Sequence, residues 1–293
     1  MSNVIYARSY AKINLYLDVL RKRPDQFHDI ETIFQSVSLC DELAVEPASG
    51  QISLACSNSQ LDCGPTNLVL RAAIALRERT GCKLGAKMVL TKRIPLAAGL
   101  AGGSGNAAAA LFALSELWNL KRTPEELAQI GLTLGSDVPY CLRGSTMAAR
   151  SRGEIMWPLE SPGDVWFVLV HPDLHVSTRD VYTSPLLRKN SGPRIDGLTQ
   201  SFRTAIKRFG LRNFPAAMFN RMEEPVFAMH PQLLDIKRAL LDAGCTAAIM
   251  SGSGPTMFGI CASQTQARSI SNKLAPLKTT VVTSVSHGVE LSR

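Results

Sequence analysis

Four glycines, Gly99, Gly102, Gly103 and Gly105, stand at the mouth of an Ala-rich stretch in the run 95–110, PLAAGLAGGSGNAAAA. Residues without Cβ let backbone N–H groups close around an anion, and a helix start adds unpaired amides and about half a positive charge. The chemistry this spacing suits is nucleotide-phosphate binding. Other readings compete with it. Residues 94–115 carry no charge and are long enough to cross a bilayer, but the glycines, Pro95, Ser104 and Asn106 at the centre argue against a span. Residues 103–108 fit G-x-G-x-x-A, the dinucleotide-binding fingerprint, which requires a strand ending in an acidic residue about 20 residues on. Residues 121–134 read as a helix start instead. No Gly-Lys-Ser/Thr occurs, so a Walker A loop is excluded. A glycine-rich helix entry without a ligand stays open.

Three polar islands interrupt apolar surroundings: Lys12-Ile13-Asn14, Ser136-Asp137-Val138-Pro139 and Ser251-Gly252-Ser253-Gly254-Pro255-Thr256. Strand alternation puts Lys12 and Asn14 on one face. Each island also has a plain explanation: an exposed edge-strand lysine, an aspartate capping a turn, and a hairpin between two strands.

The elements that must position these groups follow from periodicity. Residues 6–19 alternate as a strand, and residues 33–45 resume the pattern after an irregular charged connection, 21–29. Thr66 as N-cap, with Leu68, Val69, Ala72, Ala73 and Leu76 on one face and Gly81 as the stop, predicts a helix. A strand over 87–94 feeds the glycine loop, and a helix over 106–118 leaves it. Thr123, Pro124 and Glu126 spell a capping box for a helix to Leu134, ended by Gly135. The pattern restarts beyond Trp157-Pro158. Strands are expected over 164–170, 245–250, 256–261 and 279–285, and helices over 199–209, 231–243 and 264–274. With no periodic β-α-β-α succession, the chain reads as α+β with mixed or antiparallel sheets. Two domains are expected, residues 1–160 and 161–293.

Composition sets the context. At 293 residues, with 45% hydrophobic and 19% charged residues, the chain is an ordinary globular protein large enough for two cores. Its first residues, MSNVIYARSYAK, lack a signal-peptide core, so the cytoplasm is the expected location. Seven cysteines without C-x-x-C fit neither a disulfide framework nor a zinc site. The net charge of +8 is scattered, with Arg21-Lys22-Arg23 the only tight cluster, and suits anionic substrates. No basic stripe interleaved with aromatics appears, so nucleic acid is not an expected partner.

Taken in order, Lys12, the loop at 95–108, Gly135 to Pro139 and Ser251 to Thr256 resemble the GHMP kinase superfamily, named for galactokinase, homoserine, mevalonate and phosphomevalonate kinases. The segments Ala11-Lys12-Ile13-Asn14-Leu15, Arg23-Pro24-Asp25-Gln26-Phe27-His28 and Thr32-Ile33-Phe34-Gln35 are similar to its branch acting on a cytidine diphosphate sugar-alcohol. The likeness runs from Tyr6 to about Cys261. It implies a two-domain GHMP fold, an N-terminal mixed-sheet nucleotide domain and a C-terminal ferredoxin-like α+β domain. It also implies transfer of the γ-phosphoryl of ATP, with Mg²⁺, to a hydroxyl. By the same carry-over, Pro95, Ala98, Gly99, Ala101, Gly102, Gly103, Ser104, Gly105 and Asn106 surround the triphosphate, with Asn67 and Lys92 near adenine. Asp137 takes the hydroxyl proton while Lys12 holds the acceptor and the aspartate in place, a division that suits a carboxylate beside a cation. Phe27 and Tyr182 stack on the two faces of cytosine, His28 reads its edge, and Asn14 and Thr178 bond the linker or the sugar-alcohol.

Departures from the usual pattern are Gln26 for glycine, Phe27 for tyrosine, Ala101 for glycine, Gly105 for a loop serine, and an arginine and a serine within Arg150-Ser151-Arg152-Gly153-Glu154. They leave the metal ligands unassigned. At position 105 the backbone N–H is expected to point at the anion in place of the missing hydroxyl. No membrane partner is expected, and the chain is a monomer or a homodimer. A mevalonate- or homoserine-type kinase and a non-catalytic nucleotide-binding protein are the alternatives. The Phe27, His28 and Tyr182 set argues against the first, and retention of Lys12 with Asp137 against the second.

Overall fold

The computed structural model describes residues 4–210 and 214–293. Its spine is a pair of long antiparallel strands, Ile5–Lys22 and His28–Ala48, paired from Ile5 opposite Val45 to Lys22 opposite His28 with register shifts after Tyr10, Asn14 and Val19. The connection expected to be irregular is a tight turn, closed by Arg23 N–H donating to Phe27 O at 2.8 Å. Gln26 takes φ 69°, the left-handed region, which explains why glycine suits this position.

Around this ribbon an eight-stranded mixed sheet assembles. Gly85–Thr91 pairs antiparallel with the second strand and Ile52–Cys56 runs parallel beyond it. Thr146–Ser151 and Ile155–Pro158 continue from the second strand's other half, while Val289–Ser292 and Phe219–Asn220 return from the C-terminal part to flank the first. Helices Leu68–Thr80, Gly102–Leu117 and Pro124–Leu134 cover one face. Ala107, Ala108, Ala110 and Leu111 are fully buried with Leu43, Val45, Met88 and Leu90. Alanines on the central helix let it sit close to its neighbours, and that packing drives the 16-residue helix to begin at Gly102, four residues before the expected start. Among the described residues no helix is long and apolar enough to cross a membrane.

Local capping signals decide the ends of the outer helices. Asn67, one residue after the expected Thr66, is the N-cap of the first helix; its Oδ1 accepts from Val69 N–H at 2.9 Å, and Gly81 at φ 70° ends it. The capping box of Thr123 and Glu126 forms in full.

The second sheet has the order Ala248–Met250, Met257–Cys261, Trp166–Val170, Thr279–Thr283, antiparallel throughout. With helices Gln232–Asp242 and Gln264–Lys273 it makes a βαββαβ unit of the ferredoxin-like kind. Period-two alternation splits Trp166–Val170 between two cores. Val168 and Val170 pack with Leu240 and Ile270, whereas Phe167 and Leu169 join Ile13, Leu15 and Ile33 of the first ribbon. That shared cluster fixes the two sheets relative to each other.

Candidate functional site

Two glycine-rich loops meet above the spine. In the first, Ala97, Gly99 and Ala101 take φ of 50°, 74° and 55°. These alternating left-handed residues curl the chain around a concavity. In the second, Gly254 N–H donates to Ser251 O at 2.9 Å, and buried Asn220 holds the loop by donating to Met250 O and Gly252 O, both at 2.8 Å. Ser251 Oγ donates to Gly99 O at 2.9 Å, so the loops lie back to back. A Cβ on Gly99 would stand 2.2 Å from Ser251 O, a contact only glycine avoids. The first strand joins them through Lys12 N–H, which donates to Leu100 O at 3.1 Å.

At the start of helix Gly102–Leu117 the N–H groups of Gly102, Gly103 and Ser104 precede the first helical hydrogen bond and stay open to an anion. Gly105 is different: its N–H donates to Ala101 O at 2.8 Å. The expectation that this amide points at the anion is therefore wrong, because helix closure has already claimed it. A Cβ at 105 would face Ser9 Cβ at 3.4 Å, so a serine hydroxyl would turn toward the first strand.

Lys12 is 5% exposed and lies on an interior strand, which removes the edge-strand reading. Its Nζ donates to Asn14 Oδ1 at 2.7 Å and stands 3.8 Å from Asp137 Oδ2; Asn14 Nδ2 in turn donates to Thr32 Oγ1 at 2.9 Å. Asp137 holds the N-cap position of the short helix Val138–Arg143, yet its side chain makes no capping hydrogen bond. Backbone geometry supplies the cap position while the carboxylate faces the cleft.

These groups line a cleft of about 1430 Å³. Lys12, Lys22, Arg152, Arg179 and Lys189 contribute cations to its wall, and Asp137 is the one lining carboxylate among the described residues. A concave surface of one sign concentrates anions. Deeper on the same wall, the His28 and Tyr182 rings stack with centroids 4.8 Å apart and planes 15° from parallel. Burial, then Lys189 and Lys22, lowers the His28 pKa, and its buried Nε2 has no partner. Phe27 is 52% exposed, and Thr178 Oγ shares a 2.7 Å hydrogen bond with Ser253 Oγ.

The structure therefore brings Lys12, Asn14, Phe27, His28, Gly99, Ala101, Ser104, Asp137, Thr178 and Tyr182 to one cleft. It does not bring Asn67, Lys92 or Asn106 there. Asn67 caps its helix and donates to Asp62 O. Lys92 Nζ pairs with Asp41 and donates to Asn106 Oδ1 at 3.0 Å, and Pro95, Ala98, Gly102, Gly103 and Gly105 do not line the cleft either. Asp41 is the residue that sequence reasoning missed. Fully buried, it accepts from Lys92, from the N–H groups of Arg93 and Ile94 at 2.7 and 2.9 Å, and from Asn106 Nδ2 at 2.8 Å. Both ends of the glycine loop hang on this one carboxylate. Gly252, Arg152, Arg179 and Lys189 were also unassigned; only the SGSGP run signalled the first.

Comparison with known proteins identifies the arrangement. The descriptions GHMP kinases N terminal domain and GHMP kinases C terminal match residues 67–145 and 202–277. A 4-diphosphocytidyl-2-C-methyl-D-erythritol kinase of Pelotomaculum thermopropionicum is 44% identical over 268 residues, covering 91% of this chain and 92% of that protein. One from Enterococcus faecalis is 42% identical over 271 residues, 92% of this chain and 94% of its own. A crystal structure of 4-(cytidine 5'-diphospho)-2C-methyl-D-erythritol kinase superposes with a TM-score of 0.79 at 32% identity over 95% of this chain and 98% of that one. A homoserine kinase from Cytophaga hutchinsonii reaches 0.78 at 21% identity over 100% and 98%, so backbone shape is common ground across these kinases. Identity separates what shape does not, and by it the chain belongs to the 4-diphosphocytidyl-2-C-methyl-D-erythritol kinases of the GHMP kinase superfamily.

Proposed function

We propose that this protein transfers the γ-phosphoryl group of ATP to the 2-hydroxyl of 4-diphosphocytidyl-2-C-methyl-D-erythritol, giving the 2-phosphate and ADP for isoprenoid precursor synthesis. The observation that carries the reading is the Lys12–Asp137 pair, 3.8 Å apart, in a cation-walled cleft that Ser104 at the open helix start also lines. Asp137 accepts the proton as the hydroxyl oxygen bonds to the γ-phosphorus and the bond to the β-phosphate oxygen breaks. Lys12, held by Asn14, orients Asp137 and offsets charge on the transferred group. The loop amides and the helix start take the phosphates without a P-loop lysine.

Among the described residues no cluster of three or more His, Cys, Asp or Glu could hold a metal by itself. Mg²⁺ fits as a companion of ATP, held chiefly by phosphate oxygens, and the Ser104 hydroxyl in the cleft lining would be available to it as an oxygen donor. When bound, it neutralises phosphate charge.

For the acceptor, His28 stacks on one face of Tyr182, where the sequence predicts the base, so a pyrimidine can stack only on an outer face of this pair, and the unpartnered His28 Nε2 suits a polar group of the acceptor. Replacing Tyr182 with Ala is expected to weaken acceptor binding by about 1–3 kcal/mol, the worth of one base–aromatic stack, and to leave ATP binding alone. Titration calorimetry with each ligand separates the two, and unaltered acceptor affinity would make Tyr182 a packing residue. The reaction itself is tested by following ADP release with the cytidine acceptor, mevalonate and homoserine in parallel. Turnover of mevalonate or homoserine, but not of the cytidine compound, refutes the assignment.

A further inference from the structure

One departure in the sequence acquires a purpose in three dimensions. Arg152 lies at the tip of the hairpin joining Thr146–Ser151 to Ile155–Pro158, and its guanidinium carbon stands 4.8 Å from the centroid of the Phe27 ring at the tip of the first hairpin. The contact is built. Arg23 Nη1 crosses between the tips, donating to Ser151 Oγ at 2.8 Å and to Asp29 Oδ1 at 3.0 Å. Ser151 Oγ and Arg152 N–H both donate to Glu154, at 2.9 and 2.7 Å, with Ser151 held at φ 67°. Asp25 accepts from Arg23 Nε and from Phe27 N–H, both at 3.2 Å, fixing the backbone beneath the ring.

The Arg152 guanidinium, by contrast, is paired with a carboxylate only at long range. Its Nε is buried without a hydrogen-bond partner, and the nearest Glu154 oxygen is 3.9 Å away. Phe27 has the opposite problem: a half-exposed ring at a hairpin tip. A planar cation over its face holds it, since guanidinium stacks on aromatic rings where an ammonium has no plane to offer.

We propose that Arg152 is a positioning residue for acceptor recognition: it braces Phe27 so that the ring is ordered before an acceptor carrying a flat aromatic base arrives. This rests on the functional reading above. The polar and ring contacts of Arg152 and Phe27 run to one another, to Arg23, Asp25 and Glu154, and not to the glycine loops, Lys12 or Asp137, so loss of the brace reaches acceptor binding and spares chemistry.

The test is a steady-state comparison of Arg152→Ala, Arg152→Lys and Phe27→Leu, with the Phe27→Leu/Arg152→Ala double variant. Arg152→Ala is expected to raise KM for the cytidine acceptor about tenfold, with kcat and KM for ATP changed by less than about twofold. Arg152→Lys recovers part of the loss. In the double variant the KM stays within about twofold of Phe27→Leu alone, because the arginine acts through the ring. Binding of cytidine 5′-diphosphate by calorimetry provides a readout without turnover, and Arg152→Ala weakens it by a similar factor. If the unaltered protein turns over the cytidine acceptor and binds the diphosphate, but Arg152→Ala matches it in both, this inference fails alone. Independent, multiplying effects of the two substitutions also overturn it. If the unaltered protein neither turns over the acceptor nor binds the diphosphate, the functional reading and the inference both fall.

Discussion

Asp137→Asn is expected to lower kcat by about 10²- to 10⁴-fold while KM for ATP moves little, because the amide keeps the shape and loses the capacity to take a proton. The geometry makes this substitution unusually clean. Although Asp137 sits at a helix N-cap, its side chain caps nothing, and its carboxylate is 35% exposed. Removing its charge therefore leaves the helix start, the loop amides and the core untouched. Lys12 loses its partner at 3.8 Å but keeps Asn14 Oδ1 at 2.7 Å. Thermal melting should place the variant within a few degrees of the parent. Turnover within about threefold of the parent would remove Asp137 from the proton transfer and leave the cleft as a binding site only.

The opposite pattern is expected at Asp41, a carboxylate of the same type with no exposure. Asp41→Ala strands Lys92, whose side chain is 3% exposed, and frees the N–H groups of Arg93 and Ile94 and one donor of Asn106. Breaking a buried pair from one side costs about 3–5 kcal/mol, chiefly through the charge left without compensation. Urea unfolding should show that loss. Adding Lys92→Met should restore more than half of it, because an apolar pair of similar volume is often neutral where an orphaned charge is not. A single-variant loss below about 1 kcal/mol, or a double variant worse than the single, would mean that water reaches Lys92 and that the hub does not organise the loop.

The contrast between the two aspartates marks the boundary of what the linear chain can express. Asp137 was legible because it lies in a short polar island among apolar residues, a pattern contained within a few positions. Asp41 was not, since it sits in a plain alternating strand and its partners lie 51 to 65 residues away. The same division runs through the fold. The Thr123 and Glu126 capping box was readable as a unit because cap and partner are three residues apart, closed by local geometry. The strand Ile52–Cys56 went unread because its five residues are only half buried at a sheet margin and carry little periodic signal. Val289–Ser292 was missed because its place is set by the distant first strand.

What the sequence by itself determined was what short stretches carry: the glycine-rich helix entry, the polar islands around Lys12 and Asp137, the α+β alternation and the helix ends. Tertiary structure alone decided which amides remain open, since a helix start four residues earlier than expected assigns Gly105 N–H to Ala101 O and leaves residues 102–104 free. It also decided that Ser251 locks onto Gly99, that Lys92 pairs with Asp41, and that Arg152 covers Phe27. The physical reason is the range of the forces that encode each feature. Backbone propensity and capping act within a turn or a few residues, so they can be read along the chain. Burial of a charge, closure of a cleft and stacking of two hairpin tips depend on packing between residues far apart in sequence, and they exist only once the sheets have met.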